Sequence, residues 1–373
     1  MFEIIVQKKL FVKSLAHVQA VVERRNVSAI LSHLKLEATE GKLTLTAVDN
    51  TLSITETIEA EVIHTGSIAI PAQTLYDIAR KFSDGTISLK IDEAQTSMVE
   101  ISSGFSVFHL PYLSVDDFPT IDQDNFDCKF TMPHISMQKI IDKNRNTIAQ
   151  EDARNNFNGI YFHPILDNNE LRGTATDGHR LSSVRVLLPE GAEKIKPVII
   201  PRKTIFELAK IMLDNSHDLD MEVSTTKVKI TLGDVVIITK LIDSEFPEYL
   251  SLIPYANTSY FSLPATDLSK AVDRSTTIVL DKSKAVNLCI TQEQLEIQLV
   301  GDNQSASNEK LEIESNNAEK FEVALNAKYL LDILASLDPS SNARLKYSDP
   351  YSAILAQAED DEKTDFVIMP MRV

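Results

Sequence analysis

Residues 130–141 read FTMPHISMQKII and residues 261–272 read FSLPATDLSKAV. Each is a short alternating apolar stretch, a proline, and then apolar residues at helical spacing. Val6 to Val18 (VQKKLFVKSLAHV) fits the same slot. A second slot lies further along each third of the chain: SIAIPAQTLYDIA from Ser67, PVIIPRKTIFELA from Pro197 and FEVALNAKYLLDIL from Phe321. Asn326 stands there where the first two copies have Pro71 and Pro201, and the steps are 130 and 125 residues. An aspartate after a strand pattern recurs as TAVDNTLS at Asp49, TATDGHRLS at Asp177 and LVGDNQSA at Asp302, with steps of 128 and 125. Phe118-Pro119 and Phe246-Pro247 are again 128 apart. A fixed period across independent landmarks marks tandem structural repeats.

The 373 residues therefore divide into three copies of one unit, 1–127, 128–257 and 258–373, with breaks in the polar runs IDQDNFD and PYANTS. Helical periodicity predicts helices over 12–25, 74–82, 136–149, 202–213, 267–280 and 327–337. The runs LKLEATEGKLTLTAVD, VKITLGDVVIITKLI and LCITQEQLEIQLV alternate as antiparallel strands with tight turns. Met1 to Leu10 also alternates like a strand, and Ala343 to Val373 reads as closing strands. Two helices against a larger sheet area in each copy make the fold class α+β.

The net charge is −17, which argues against ordinary sequence-independent DNA binding through phosphate contacts. The charge is unevenly placed, however. The six predicted helices hold 14 Lys and Arg against 7 Asp and Glu, a net +7, which leaves −24 for strands and loops. Helices facing one way would give one basic wall and an acidic remainder, and local potential decides where a polyanion lies. No stretch approaches the 18 apolar residues of a membrane span, and the N-terminus lacks a signal peptide's apolar block. Cys128 and Cys289, without CxxC spacing, read as small core residues in a reducing cytoplasm, and no metal or cofactor is expected.

Asp177, His179 and Arg180 look catalytic at first sight. A triad needs a nucleophile and an orienting partner, and no GxSxG elbow accompanies them. The aspartate recurs in all three copies, which marks it as a turn former bonding its own backbone. The Gly-His-Arg that follows occurs only in the middle copy, which points to one binding site there. His163 and His109 lie in apolar strand surroundings and read as packed or surface histidines. There is no P-loop, GxGxxG, HExxH or EF-hand spacing, and no Trp or basic-aromatic interleaving for base stacking.

On four blocks the chain resembles the bacterial DNA polymerase III beta subunit family, the beta sliding clamps. The blocks are Thr174–Leu181 (TATDGHRL), Val198–Lys203 (VIIPRK), Phe246-Pro247 followed by Tyr249, and Val367–Arg372 (VIMPMR). Their order, their spacing and the threefold repeat cover the whole chain. The resemblance implies three tandem DNA-clamp domains and a head-to-tail homodimer, a ring with helices lining the hole and sheets outside. It implies a non-catalytic cytoplasmic protein that encircles double-stranded DNA. Such a protein tethers the replicative DNA polymerase, is loaded by a clamp loader, and holds other polymerases and repair proteins through short peptide motifs.

Carried over residue by residue, the hole-facing positions are Arg25, Arg80, Gln150, Arg202, Lys203 and Lys210. The partner-peptide pocket maps to Phe157, Thr176, Gly178, His179, Arg180, Leu181, Pro247, Leu252, Val367, Met369, Pro370, Met371 and Arg372. The dimer contact maps to Phe105 and Val107 on one side and Ile278 on the other, with Glu309 and Glu312 nearby. Asn155-Asn156, Gln73, Ser251 and the terminal Val373 depart from the family pattern. Two other readings remain beside this one: an interaction scaffold that never meets DNA, against which the basic helices argue, and an enzyme around Asp177 and His179, which lacks its third member.

Overall fold

The computed structural model describes residues 2–22, 28–91, 97–121, 126–150, 153–281, 284–301 and 305–372. It contains six α-helices among those residues: α1 Lys8–Gln19, α2 Ala72–Lys81, α3 His134–Asn144, α4 Arg202–Leu213, α5 Ala265–Ser275 and α6 Ala327–Ala335. Each follows its strand with almost no linker. Strands Gly66–Pro71, Val198–Pro201 and Ser259–Pro264 end on the proline itself, and the helix starts at the next residue. Proline suits that junction because its φ is already near helical and the missing N–H is one a helix start leaves unbonded. Before α6, Asn326 takes this place and its side chain accepts the Tyr329 N–H at 3.2 Å, a conventional N-cap.

The tight junction explains why α2, α3 and α5 each begin two residues before the predicted start. The larger correction is at α1, predicted over 12–25, which begins at Lys8 and ends at Gln19; 23–25 lie outside the described residues. The first strand, Glu3–Gln7, is shorter than the alternation of Met1 to Leu10 suggested. It ends where the Lys8 N–H bonds the Gly85 carbonyl at 2.9 Å. Helix α1 then buries Phe11, Leu15 and Val18 at helical spacing. Helix α3 stops at Asn144, whose buried amide bonds the carbonyls of Ile140 (2.8 Å) and Gly173 (3.1 Å).

The chain forms two compact units. The first comprises Met1–His134, Pro189–Lys194 and Lys203–Leu241; the second comprises Ile135–Leu188, Ile195–Arg202 and Ile242–Val373. In the first, a five-stranded sheet runs in the order Glu61–His64, Glu3–Gln7, Thr86–Ile91, Met98–Ser103, Ser106–Pro111. Its eight-stranded sheet runs Cys128–Met132, Leu219–Val223, Lys227–Leu232, Val235–Lys240, Leu52–Glu59, Lys42–Val48, His33–Thr39, Gly66–Pro71. Helix α1 packs on α2.

The second unit has a nine-stranded sheet in the order Val198–Pro201, Gly159–Ile165, Glu170–Thr176, Arg180–Leu187, Asp361–Ile368, Ile354–Ala358, Asn342–Tyr347, Ser259–Pro264, Glu314–Ser315. A four-stranded sheet runs Ala306–Glu312, Gln294–Val300, Ala285–Ile290, Phe321–Asn326. Helix α5 packs on α6 over a core that includes Phe261, Leu268, Val272, Leu330, Tyr347 and Phe366.

Among the described residues all pairing is antiparallel, and each large sheet joins strands from neighbouring repeats. Val235 to Thr239 pair with Glu56 to Leu52 in the first unit, and Arg180 to Val184 pair with Ile368 to Thr364 in the second. The middle repeat thus contributes strands to both units. Cys128 is buried as expected, but Cys289 is only partly buried. On its strand the alternation buries Val286, Leu288 and Ile290, so Cys289 points away from the core.

Candidate peptide pocket and edge surfaces

The strands Glu170–Thr176 and Arg180–Leu187 form a hairpin whose turn is Asp177-Gly178-His179. Asp177 Oδ1 accepts the N–H groups of His179 (3.0 Å) and Arg180 (3.1 Å). Thr176 Oγ1 donates to the Arg180 carbonyl at 2.7 Å and accepts the Gly178 N–H at 3.1 Å. Gly178 has φ +87°, a conformation other residues adopt with strain, and a Cβ there would meet the Arg154 guanidinium at 3.0 Å. The same turn logic holds at Asp49, whose Oδ1 accepts the N–H groups of Thr51 and Leu52, both at 2.6 Å. The structural role read for the recurring aspartate therefore holds in two copies; Asp302 lies outside the described residues.

Asp177 cannot orient His179 for catalysis, because its carboxylate is engaged by the turn backbone and by Arg180 Nε at 3.0 Å. Ser182 and Ser183 are fully buried and bonded to Asn144 and Thr174. His179 is exposed, and its ring lies nearly parallel to Tyr329, centroids 6.3 Å apart. Arg180 is buried. Its guanidinium bonds Asp177, Asp332 Oδ2 (2.7 Å) and the Asn146 carbonyl, and lies 4.2 Å over the Tyr329 ring. Arg180 thus fastens the hairpin to α6.

The C-terminal strand runs beside this hairpin. Leu181 pairs with Val367, and the Met369 N–H continues the ladder to the His179 carbonyl at 3.0 Å. The two peculiar stretches, GHR and MPMR, are therefore adjacent. Beneath them Leu181, Tyr249, Ile253, Leu355 and Val367 form a small buried cluster, flanked by Tyr161, Phe246 and Ala353. Phe157 and Thr176 are also buried. Leu252 is 59% exposed, Met369 46% and Met371 37%, with Pro247 and Pro370 half-buried and Arg372 exposed; Met371 and Arg372 line a cavity with Leu288, Cys289, Val323 and Tyr351. Two adaptable methionines and a leucine left in water, on the segments that supply the apolar cluster, suit a groove for varied apolar side chains.

Sequence reasoning missed Tyr329 and Asp332. The repeat held a signal for the first: Tyr329 stands where the other two copies have Thr74 and Thr204.

The predicted DNA-facing positions differ in how occupied they are. Arg80 and Lys210 are exposed and make helix-surface pairs with Asp77 (3.0 Å) and Glu207 (2.8 Å). Such pairs are weak in water and exchange readily. Gln150 is exposed. Lys203 is half-buried against the Asp49 carboxylate and the Val21 carbonyl (2.8 Å). Arg202 donates to the Ile148 carbonyl at 2.9 Å, and burial lowers its pKa. Arg25 lies outside the described residues. The six observed helices keep the net +7 predicted for them.

The strand Ser106–Pro111 is an open edge of the five-stranded sheet. Phe105 is fully exposed at its turn, Val107 is 52% exposed, and Phe108 is 43% exposed with an edge contact to Phe82. In the second unit, Ala306–Glu312 is likewise an edge strand. Arg274 pairs with Glu309 at 2.6 Å on it, Ile278 is half-buried, and Leu280 is fully exposed. Leu280 and Phe108 escaped the sequence reading. Apolar residues beside unpaired edges invite pairing with another chain.

Three family models match the chain in succession: the DNA polymerase III beta subunit N-terminal domain at residues 2–122, its central domain at 131–248 and its C-terminal domain at 250–372. The beta sliding clamp of Caulobacter vibrioides is 35% identical over 371 residues, covering 99% of both chains. That of Rickettsia felis is 30% identical with full coverage of both. Among solved structures, the DnaN sliding clamp from Bartonella birtlesii bound to griselimycin superposes with a TM-score of 0.95 at 36% identity, covering 100% of each chain. Caulobacter crescentus pol III beta gives 0.91 at 35%, also over 100% of each. With three successive domain matches and relatives aligned end to end, this chain belongs to the DNA polymerase III beta subunit family, the beta sliding clamps.

Proposed function

We propose that two copies of this chain close head to tail into a ring that encircles duplex DNA and carries the replicative polymerase along it. The full-length match to sliding clamps, a non-catalytic family, carries this reading. The open edges supply a physical route to closure. The Phe105–Phe108 edge of one copy meets the Ala306–Glu312 edge of the next, with Ile278 and Leu280 beside it. A contact between two different surfaces closes only by repeating around an axis. The domain limits are 1–127, 128–257 and 258–373, and the protein acts in the cytoplasm.

Retention on DNA is topological. A chain of net charge −17 is a poor phosphate binder, and strong pairing would hinder sliding. A modest excess of cations on the helices, Arg80, Arg202, Lys203 and Lys210, joined by Arg25 and Gln150, acts over a Debye length of about 8–10 Å and centres the duplex. Residues around His179, Leu252, Met369 and Met371 take short, partly apolar peptides from the polymerase, the clamp loader and repair proteins in turn. Affinity near micromolar, about −8 kcal/mol, suits partners that exchange. The test is retention. Loaded protein stays on closed circular DNA through a moderate salt wash and leaves once the circle is cut. Equal loss from circular and linear DNA refutes encirclement.

A further inference from the structure

The pocket wall that carries Pro247 and Leu252 lies in a long connection, Leu241 to Thr258, whose only regular element is the 3-10 turn Leu250–Leu252. Its backbone bonds to other elements are at its start, Leu241 N–H to the Thr226 carbonyl (2.8 Å) and Ile242 N–H to the Ile199 carbonyl (3.0 Å); the rest are local turns at Ser244, Leu252, Ile253, Tyr255 and Asn257. The Asn156 amide adds a bond to the Glu245 carbonyl at 2.7 Å. Its far end is held by Tyr255 on Asp365 (2.6 Å) and Asn257 on the Lys346 and Ala353 carbonyls (3.1 and 3.0 Å), so the middle stretch around Phe246 to Ile253 is left for side chains to position.

Four rings supply that definition, and they form a closed cycle. Tyr161 and His163 share one face of the strand Gly159–Ile165 and stack with centroids 4.7 Å apart. Phe246 lies flat on Tyr161 at 4.5 Å and 3°. Tyr249 meets Phe246 edge-on at 5.9 Å and His163 edge-on at 5.7 Å. The cycle has one polar bond inside it: the Tyr249 hydroxyl and His163 Nε2, 2.7 Å apart and buried. Burial, with the Arg172 charge next to it, pushes the His163 pKa down to about 4, so the ring is neutral. The Arg172 charge also acts on the Tyr249 hydroxyl. A buried hydrogen bond between two packed rings is directional, which fixes their orientation better than packing alone.

We propose that His163 and Tyr249 are positioning residues of the peptide pocket: their hydrogen bond, inside the four-ring cycle, sets where the 246–253 segment stands and so how far Pro247 and Leu252 project over the floor of Leu181 and Val367. Neither touches the ligand through its polar atom. This inference rests on the pocket reading above. It makes the pocket's affinity depend on a bond one layer below its surface.

The test measures griselimycin binding by calorimetry, with full-length protein. Tyr249→Phe keeps the ring and removes the hydroxyl, and about tenfold weaker binding is expected, one net hydrogen bond's worth. His163→Phe should weaken binding similarly, and His163→Gln, which keeps an acceptor, should recover part of it. Phe261→Leu, a core change in the same unit, supplies the stability control: it lowers the melting temperature and leaves affinity unchanged. Met369→Asp combined with Met371→Asp tests the pocket itself. Undiminished griselimycin binding by that double variant overturns the pocket reading. Loss of binding there, with wild-type affinity in Tyr249→Phe and His163→Phe, overturns the positioning role alone.

Discussion

Phe105 offers the sharpest test of ring closure, because in one protomer it does nothing. Its side chain is fully exposed at the tip of an open strand edge, so shortening it removes no contact within the fold. If the edge closes against a second copy, the ring is buried there. Burying a phenylalanine contributes roughly 2.5 kcal/mol. A head-to-tail dimer has two identical contacts, so Phe105→Ala weakens it by about 5 kcal/mol, between three and four decades in the dissociation constant. Phe105→Asp goes further, because it places a carboxylate with no partner in a desolvated contact. Sedimentation velocity across a dilution series should show monomer for the aspartate variant and a concentration-dependent mixture for the alanine variant. The melting temperature of the isolated protomer should not move. A full dimer at nanomolar concentration in Phe105→Asp refutes the contact, and a collapsed fold would mean that Phe105 is not the free surface residue described.

Deleting Met369 to Val373 should abolish polymerase stimulation and leave the dimer intact; full stimulation by the truncated chain places the pocket elsewhere. Arg180→Ala leaves Asp177 and Asp332 facing an empty site, and should cost about 3–5 kcal/mol in a urea titration of the second unit, as expected when one partner of a buried pair is removed. His17 is buried between Glu56 (2.8 Å) and Asp214 (3.3 Å), with Ser14 on Glu56 and Lys13 on the Asp214 carbonyl. Burial opposes its charge, but the two carboxylates outweigh burial and raise its pKa above 6.5. The stabilisation is therefore complete below that value and is lost as pH rises through the folded pKa. The melting-temperature gap between wild type and His17→Gln should be widest near pH 6 and shrink toward pH 9; a gap independent of pH contradicts the charged staple.

The repeat was legible because its landmarks are local. A proline at a strand end and an aspartate in a turn act on their immediate neighbours, so they recur wherever the same local geometry recurs. The adjacency of GHR and MPMR was inferable from two oddities in one chain, and the register of Leu181 on Val367 confirms the neighbourhood. What stayed hidden depends on distant partners. Nothing near Lys203 announces Asp49, and nothing near Arg180 announces Asp332 and Tyr329. The α1 boundary failed for a related reason. The apolar spacing of its sequence continues past Gln19, and the pairing of Gln7 with Thr86, followed by the Lys8–Gly85 bond, fixes where the helix begins.

Strands that cross repeat borders have a consequence for how this protein can be cut or enlarged. The middle copy is a unit of descent and not of autonomy. Expressed alone, residues 131–248 would lay bare the flank of VVIITK (235–240), which Leu52–Glu59 otherwise covers, and that of RLSSVRVL (180–187), which Asp361–Ile368 otherwise covers. Two bare β-rich flanks on one fragment are a recipe for insolubility. For the same reason a fourth copy could not be threaded in like a bead: it would have to break an existing sheet and heal both halves against itself.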